Sequence, residues 1–279
     1  MTCLEDILKV NNLTISYRTL RGKVKAVENV SFNLGKGKIL AVVGETGSGK
    51  TTIGLAILRI LPPNAVIEKG EIWFNGKNIL DLDEDAMRRI RGKEISIIFQ
   101  EPKITLNPVL KIGEQIAEVP IEHLGLDKKE AYRLARKMLE RTGVPDPDRV
   151  MKSYPHELSG GMAQRVVISI AMILRPKLLV ADEPTSALDV SVQAQVLDLI
   201  QELVRETGTS VIFITHDLSL AAEIADEILV MYYGKVVEYG DVFEIFKTPK
   251  HPYTKALLNA IPRIGFRGKL KSLEEMINE

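Results

Sequence analysis

The chain has 279 residues, room for one large core or two modest ones, and at 45% hydrophobic and 27% charged it has the composition of an ordinary folded protein. Lysine plus arginine equals aspartate plus glutamate at 37 each, so the formal net charge is zero; the basic excess usual in a nucleic-acid binder is missing, which argues against such a partner. Cys3 is the single cysteine, which excludes an internal disulfide and a C-x-x-C zinc or iron–sulfur site and reads as an incidental thiol.

Glu5, Asp6 and Lys9 rule out a signal-peptide core at the N-terminus. The longest apolar run, Val166 to Leu174, contains Ser169 and is bounded by Arg165 and Arg175, too short to cross a bilayer. The chain is therefore expected to lie beside a membrane at most, not across one.

In chain order, Leu13–Tyr17 and Val27–Phe32 alternate like strands joined by a turn near Arg21-Gly22. The run Ile39–Val43 then reads as a buried strand, Thr52–Leu58 as a helix, and Pro62-Pro63-Asn64 as its stop. Between them stands Gly44-Glu45-Thr46-Gly47-Ser48-Gly49-Lys50-Thr51, the pattern G-x-x-x-x-G-K-[ST]. Its glycines allow backbone N–H groups to converge on phosphates, and the following helix adds a partial positive charge. Lys50 is expected to reach the β- and γ-phosphates and the Thr51 hydroxyl to ligate Mg²⁺. The plain alternative is a glycine-rich turn carrying a lysine; the flanking strand and helix favour the phosphate site.

Gly70–Gly76 reads as a strand ending in a turn, and Glu94–Phe99 as a strand ending at Gln100. From about Gly113 to Arg175 the pattern turns helical, with Ala131, Leu134, Ala135, Met138 and Leu139 at helical spacing behind Asp127 and Glu130, placed as a capping box. Strand and helix alternate again afterwards: Lys177–Ala181, a helix striped by Val192, Val196, Leu199, Ile200 and Leu203, then Val211–Thr215 and Glu227–Met231. Such alternation predicts a mostly parallel sheet covered by helices. The tail from Pro249, basic from Arg263 to Lys271 and then acidic at Glu274-Glu275, is expected to be a surface appendage.

Two further stretches carry chemistry. Leu178–Ala181 delivers Asp182 and Glu183 at the end of a buried strand, where a carboxylate can hold Mg²⁺ and a neighbour can polarise an attacking water. A solvated acidic turn is the alternative reading. Leu158-Ser159-Gly160-Gly161-Met162 opens the helix of Ala163–Leu174; a cap accounts for Ser159 but not for both glycines.

Together these residues resemble the nucleotide-binding subunit of an ATP-binding cassette (ABC) transporter, over about residues 7–262. The resemblance implies an α/β fold: a P-loop (RecA-like) core with a mostly parallel sheet at about 1–100 and 160–248, including an N-terminal antiparallel β subdomain. An inserted α-helical subdomain follows at about 101–159, ending at the signature, with a C-terminal extension from about 249 to 279. It implies that Leu158–Met162 is the signature closing over ATP held by the other subunit. Asp182 and Glu183 then correspond to the Walker B aspartate and catalytic glutamate, and Gln100 to the Q-loop residue that contacts Mg²⁺. His216 corresponds to the switch histidine at the γ-phosphate, Ser186-Ala187-Leu188-Asp189 to the D-loop, and Tyr17 to the aromatic that stacks on adenine. Thr52 joins Lys50 and Thr51 around the phosphates. Singly, Tyr17, Gln100 and His216 have ordinary structural readings; their joint order is what is specific.

Ser153–Glu157, Thr105–Pro108 and His251–Leu258 further resemble the dipeptide/oligopeptide importer branch, and Met162 its D-type subunit. Nickel importers share that branch, so a nickel or other small-solute importer is the alternative. Implied partners are two transmembrane permease subunits, a second ATPase subunit (a copy of this chain or an F-type sister) and, indirectly, an extracytoplasmic solute-binding protein. The implied location is the cytoplasmic face of the membrane. Relatives in the branch often run further, sometimes with a cysteine cluster that holds an iron–sulfur centre; a short or truncated chain with no such cluster is expected here. Glu101-Pro102-Lys103-Ile104 departs from the branch on the face where a permease docks. Two other classes compete. A soluble ABC ATPase of DNA repair or translation calls for a long coiled coil or two cassettes, whereas Lys50 and Ser159 lie about a hundred residues apart without heptads. A metabolic P-loop kinase has no use for the signature helix.

Overall fold

Two long strands, β1 (Asp6–Thr19) and β2 (Gly22–Gly35), pair antiparallel at the start of the chain. The computed structural model describes residues 5–20 and 22–260, so Cys3, Arg21 of the expected turn and the charged tail beyond residue 260 lie outside the described residues. β3 (Ile39–Val43) is buried at every position, as its unbroken apolar run requires, and leads through the phosphate-loop motif into α1 (Lys50–Ile57).

The stop of α1 differs from the sequence expectation. The helix ends at Ile57, well before Pro62-Pro63, because Arg59 takes a left-handed backbone (φ 53°). The Arg59 N–H then bonds to Ala56 O and the Ile60 N–H to Leu55 O, the doubled closure that satisfies terminal carbonyls. β4 (Ala65–Phe74) starts five residues earlier than read. It turns at Asn75-Gly76, both at positive φ, into the short β5 (Lys77–Asn78), giving a four-stranded antiparallel sheet ordered β2-β1-β4-β5.

The chain divides into two compact units: residues up to Asp81 together with those from Ile212 onward, and Leu82–Val211. The second unit holds α2 (Glu84–Ile90), β6 (Ile95–Ile98), α3 (Pro102–Thr105), α4 (Ile112–Leu124), α5 (Lys128–Arg141), α6 (Pro147–Val150) and α7 (Gly160–Met172). β7 (Leu178–Asp182) and α8 (Val190–Thr207) complete it. β6 and β7 pair in parallel. α5 is capped by the Asp127 carboxylate, which accepts the Glu130 N–H, and it buries Ala131, Ala135, Met138 and Leu139. The buried hydroxyls of Thr142 and Ser169, 2.9 Å apart, tie the end of α5 to α7. α2 is an element that sequence reading passed over; it buries a single residue, Met87, so its apolar stripe is too thin to see.

β8 (Ser210–Thr215) straddles the division. In the first unit it adjoins β3, followed by α9 (Leu218–Ile224), β9 (Glu227–Tyr232), β10 (Lys235–Asp241), α10 (Val242–Lys247) and α11 (Pro252–Asn259). β9 runs parallel to β3 and forms a hairpin with β10 through Tyr233-Gly234. The expectation of a surface appendage from Pro249 is wrong for α11. That helix buries Tyr253 and Ala256, and Tyr253 sits in one cluster with Ala41, Val43, Ile228, Val230 and Val242.

Candidate nucleotide site

Helix α1 is built to leave its N-terminus open. Its N-cap is Gly49, in a left-handed conformation (φ 100°), so no side chain caps the helix, and its first turn carries no acidic residue. A side chain at Gly49 would collide with the Ala26 carbonyl oxygen, and one at Gly44 (φ 151°) with that of Met231, so backbone packing as well as φ demands glycine at both. The loop is tied down at its far side, where Ser48 O accepts the Gly234 N–H from the β9–β10 turn at 3.1 Å.

Lys50 is only 5% exposed, a costly place for an ammonium unless its donors are met. They are met by the loop itself: Nζ donates to Gly44 O at 2.7 Å and to Glu45 O at 2.8 Å, with Ser48 Oγ at 3.5 Å. The cation is thus stored on weak backbone acceptors, which an arriving phosphate oxygen can replace with full charge. Glu45, Thr46 and Gly47 at the loop tip and Thr51 are exposed, whereas Thr52 is buried. The Tyr17 hydroxyl and Thr52 Oγ1 lie 3.1 Å apart, which joins the expected adenine platform to the head of α1. His216 follows β8 directly and is exposed; the turn beyond it is set by Thr215 Oγ1, which accepts the Asp217 N–H at 3.0 Å.

In the second unit, β7 delivers Asp182, 6% exposed, and then Glu183. Glu183 takes φ 45°, a left-handed conformation that costs an L-residue roughly 1–2 kcal/mol. The Ser186 N–H and Oγ both donate to Glu183 O, at 3.3 and 3.1 Å, and hold that turned peptide. Gln100, just past β6, donates through Nε2 to Glu183 Oε2 at 3.1 Å, so the expected Q-loop and catalytic carboxylate meet directly. The signature begins with Ser159 capping α7, its Oγ accepting the Met162 N–H at 3.3 Å. Leu158 is buried; Gly160, Gly161 and Met162 are half-buried. In the D-loop stretch Ser186, Ala187 and Asp189 are exposed and Leu188 half-buried, while the Asp189 carboxylate caps α8 at Val192. The Ser191 hydroxyl on that carboxylate, with the Val192 N–H, holds its pKa below the usual range.

Sequence reasoning missed one residue at the loop. Tyr253, on α11, accepts the Glu45 N–H on its hydroxyl at 2.9 Å. The spacing of Tyr253, Ala256 and Leu257, one helical face behind a proline at the first position, was the available signal.

An uncapped helix after a buried strand, with a stored lysine, defines a P-loop nucleotide-binding protein. This chain is an ATPase cassette of the ABC transporter family, whose description "ABC transporter" matches residues 27–186, more than half its length. A second family, "Oligopeptide/dipeptide transporter, C-terminal region", matches residues 237–278. The chain is similar to the oligopeptide transport ATP-binding protein OppD of Bacillus subtilis, 48% identical over 94% of this chain and 74% of that protein. It is 47% identical to the dipeptide transport ATP-binding protein DppD of the same organism, over 95% of this chain and 79% of that protein. Among solved structures, the dimeric post-hydrolysis ATP-binding cassette MJ0796 bound to ADP and Pi superposes with a TM-score of 0.76 at 28% identity, covering 84% of this chain and 98% of that one. The cbiO1 cassette of Clostridium perfringens, part of the transporter complex cbiONQ, gives a TM-score of 0.73 at 29% identity, covering 94% and 98%. Among the described residues no helix is long and apolar enough to cross a membrane.

Proposed function

We propose that this chain hydrolyses ATP to drive peptide import through a membrane transporter, acting as a peripheral subunit on the cytoplasmic face. The observation that carries the reading is the open N-terminus of α1 with Lys50 stored on its own loop, in a chain whose C-terminal part matches the oligopeptide/dipeptide transporter region.

Tyr17 stacks on adenine, and the N–H groups of Gly44–Gly49 with Thr51 and Thr52 cradle the phosphates. Lys50 leaves the Gly44 and Glu45 carbonyls for the β- and γ-phosphate oxygens. Glu183 takes a proton from the attacking water as its oxygen bonds to the γ-phosphorus and the bridging oxygen departs with ADP. His216 holds the γ-phosphate in line. Thr51, Gln100 and Asp182 each carry an oxygen donor of the hard kind that suits Mg²⁺, which when bound would neutralise phosphate charge. Ser159, Gly160 and Gly161 of a second cassette close over the nucleotide, with the D-loop, Ser186–Asp189, at that interface. Partners are therefore a second ATPase subunit, two permeases and an external solute-binding protein that selects the peptide.

Glu183→Gln tests the core of this reading. It keeps the shape of the side chain and its contact with Gln100 but removes the base, so turnover falls by about 10²–10⁴-fold while ATP still binds. Solution mass with ATP and Mg²⁺ then tells whether two copies close on nucleotide or a sister subunit is needed. Turnover near wild type overturns the role of Glu183. In a reconstituted transporter, hydrolysis stimulated by peptide and not by nickel supports peptide as cargo.

A further inference from the structure

We infer that Tyr253 is a positioning residue for the phosphate loop, through which α11 holds the Glu45 peptide, and with it Lys50, in the shape that receives ATP. The inference rests on the nucleotide reading above. Glu45 is gripped from both ends: its N–H donates to Tyr253 Oη at 2.9 Å and its carbonyl accepts Lys50 Nζ at 2.8 Å. The lysine is thus one residue removed from a hydroxyl on a helix more than two hundred positions further along the chain.

That hydroxyl is itself firmly placed. Tyr253 is 0% exposed, and its ring stacks on Tyr232 with centroids 4.1 Å apart. It packs in one cluster with Ala41 and Val43 of the strand that enters the loop. The start of α11 is pinned by Glu238, whose carboxylate accepts the N–H groups of Lys250 at 2.8 Å and His251 at 3.0 Å. Burial pushes the Tyr253 hydroxyl up to about 12, so it stays neutral through the working pH range. Glu45, Thr46 and Gly47 are otherwise exposed, so the tip of the loop depends on such anchors for its order. When Lys50 swings away to phosphate, Tyr253 remains as the hold on Glu45. Preorganising a loop in this way raises affinity by lowering the entropy lost on binding.

Tyr253→Phe keeps the ring and its packing and deletes only the acceptor. The Kd of ATP, by calorimetry, and KM should each rise about tenfold, the effect of one lost hydrogen bond, with kcat within about twofold. The Glu45 amide should exchange with solvent faster. Leu258→Ala, which loosens the packing of α11 but keeps the hydroxyl, should lower Tm and leave the Kd in place. An unchanged Kd in Tyr253→Phe overturns the inference, as does a Leu258→Ala chain that loses as much affinity. A wild-type chain that binds no ATP overturns the nucleotide reading itself, and this inference with it.

Discussion

Helices α1 and α7 both begin on glycine-bearing loops, and they treat their first backbone N–H groups in opposite ways. α1 starts at Gly49, with no side chain to cap it, and buries Lys50 and Thr52 in its first turn. α7 starts at Ser159, which is exposed and caps the helix with its own hydroxyl. α8 behaves like α7, closed at its start by Asp189. Among the described residues, eight of the eleven α-helices have a side-chain oxygen or ring nitrogen accepting from the first turn; α1, α3 and α4 do not, and of these three α1 is the one that follows the phosphate motif. The phosphate loop is shaped from within, by Lys50 on the Gly44 and Glu45 carbonyls. The signature is complete as local structure and offers an outward face, which suits a group that acts on nucleotide held elsewhere.

The largest effect should follow from disturbing α1. Lys50→Ala removes the stored cation and, on the function proposed above, the charge that meets the transferring phosphoryl group, so ATP hydrolysis should fall by about a thousandfold or more. The Glu45 carbonyl lies at the exposed loop tip, whereas the Gly44 carbonyl is buried and loses its donor, so a fall in Tm corresponding to about 1–3 kcal/mol should accompany the loss of turnover. Phosphate release against ATP concentration measures the effect; turnover near wild type would break the assignment of this helix start as the chemical site.

What the sequence makes legible follows the same division between closed and open surfaces. β3, β7 and β8 are buried at every residue, so each carries an unbroken run of four or five apolar residues, and the groups at the ends of those runs are found by counting on from them. Glu183 could be placed in that way, but its left-handed backbone could not, since it depends on Ser186 returning to the carbonyl. Nor could the stop of α1, where Arg59 rather than a proline turns the chain. In the sequence α11 reads as an appendage because an eight-residue segment with one aromatic carries little pattern. Its place in the core comes from residues outside the helix, Tyr232 and Glu238 in the preceding strands and Val43 near the start of the chain.

A smaller effect separates two adjacent glycines of the signature. A Cβ at Gly161 would lie 2.8 Å from Val192 Cγ1, whereas one at Gly160 meets nothing nearer than Leu188 Cδ2 at 3.8 Å. Val192 is β-branched and yields poorly, so Gly161→Ala should destabilise by about 1–2 kcal/mol after its gain in helix propensity. Gly160→Ala should be neutral or slightly stabilising, by up to about 1 kcal/mol. Denaturant midpoints of the two variants compare them directly. Equal losses would show that α7 owes its start to something other than its packing on α8.

The smallest effect is the sharpest test of the contrast between the two helix starts. Ser159→Ala removes the cap of α7 and should cost about 1 kcal/mol. That is a fall of a few degrees in Tm. Because the hydroxyl caps its own helix and the phosphate loop is closed by its own carbonyls, ATP affinity of the monomer should not change. Turnover should fall only where two cassettes meet on nucleotide, and the loss should grow with protein concentration as the pair forms. A variant whose monomer loses ATP affinity would mean that the serine serves the nucleotide of its own chain, and the division of labour between α1 and α7 would be wrong.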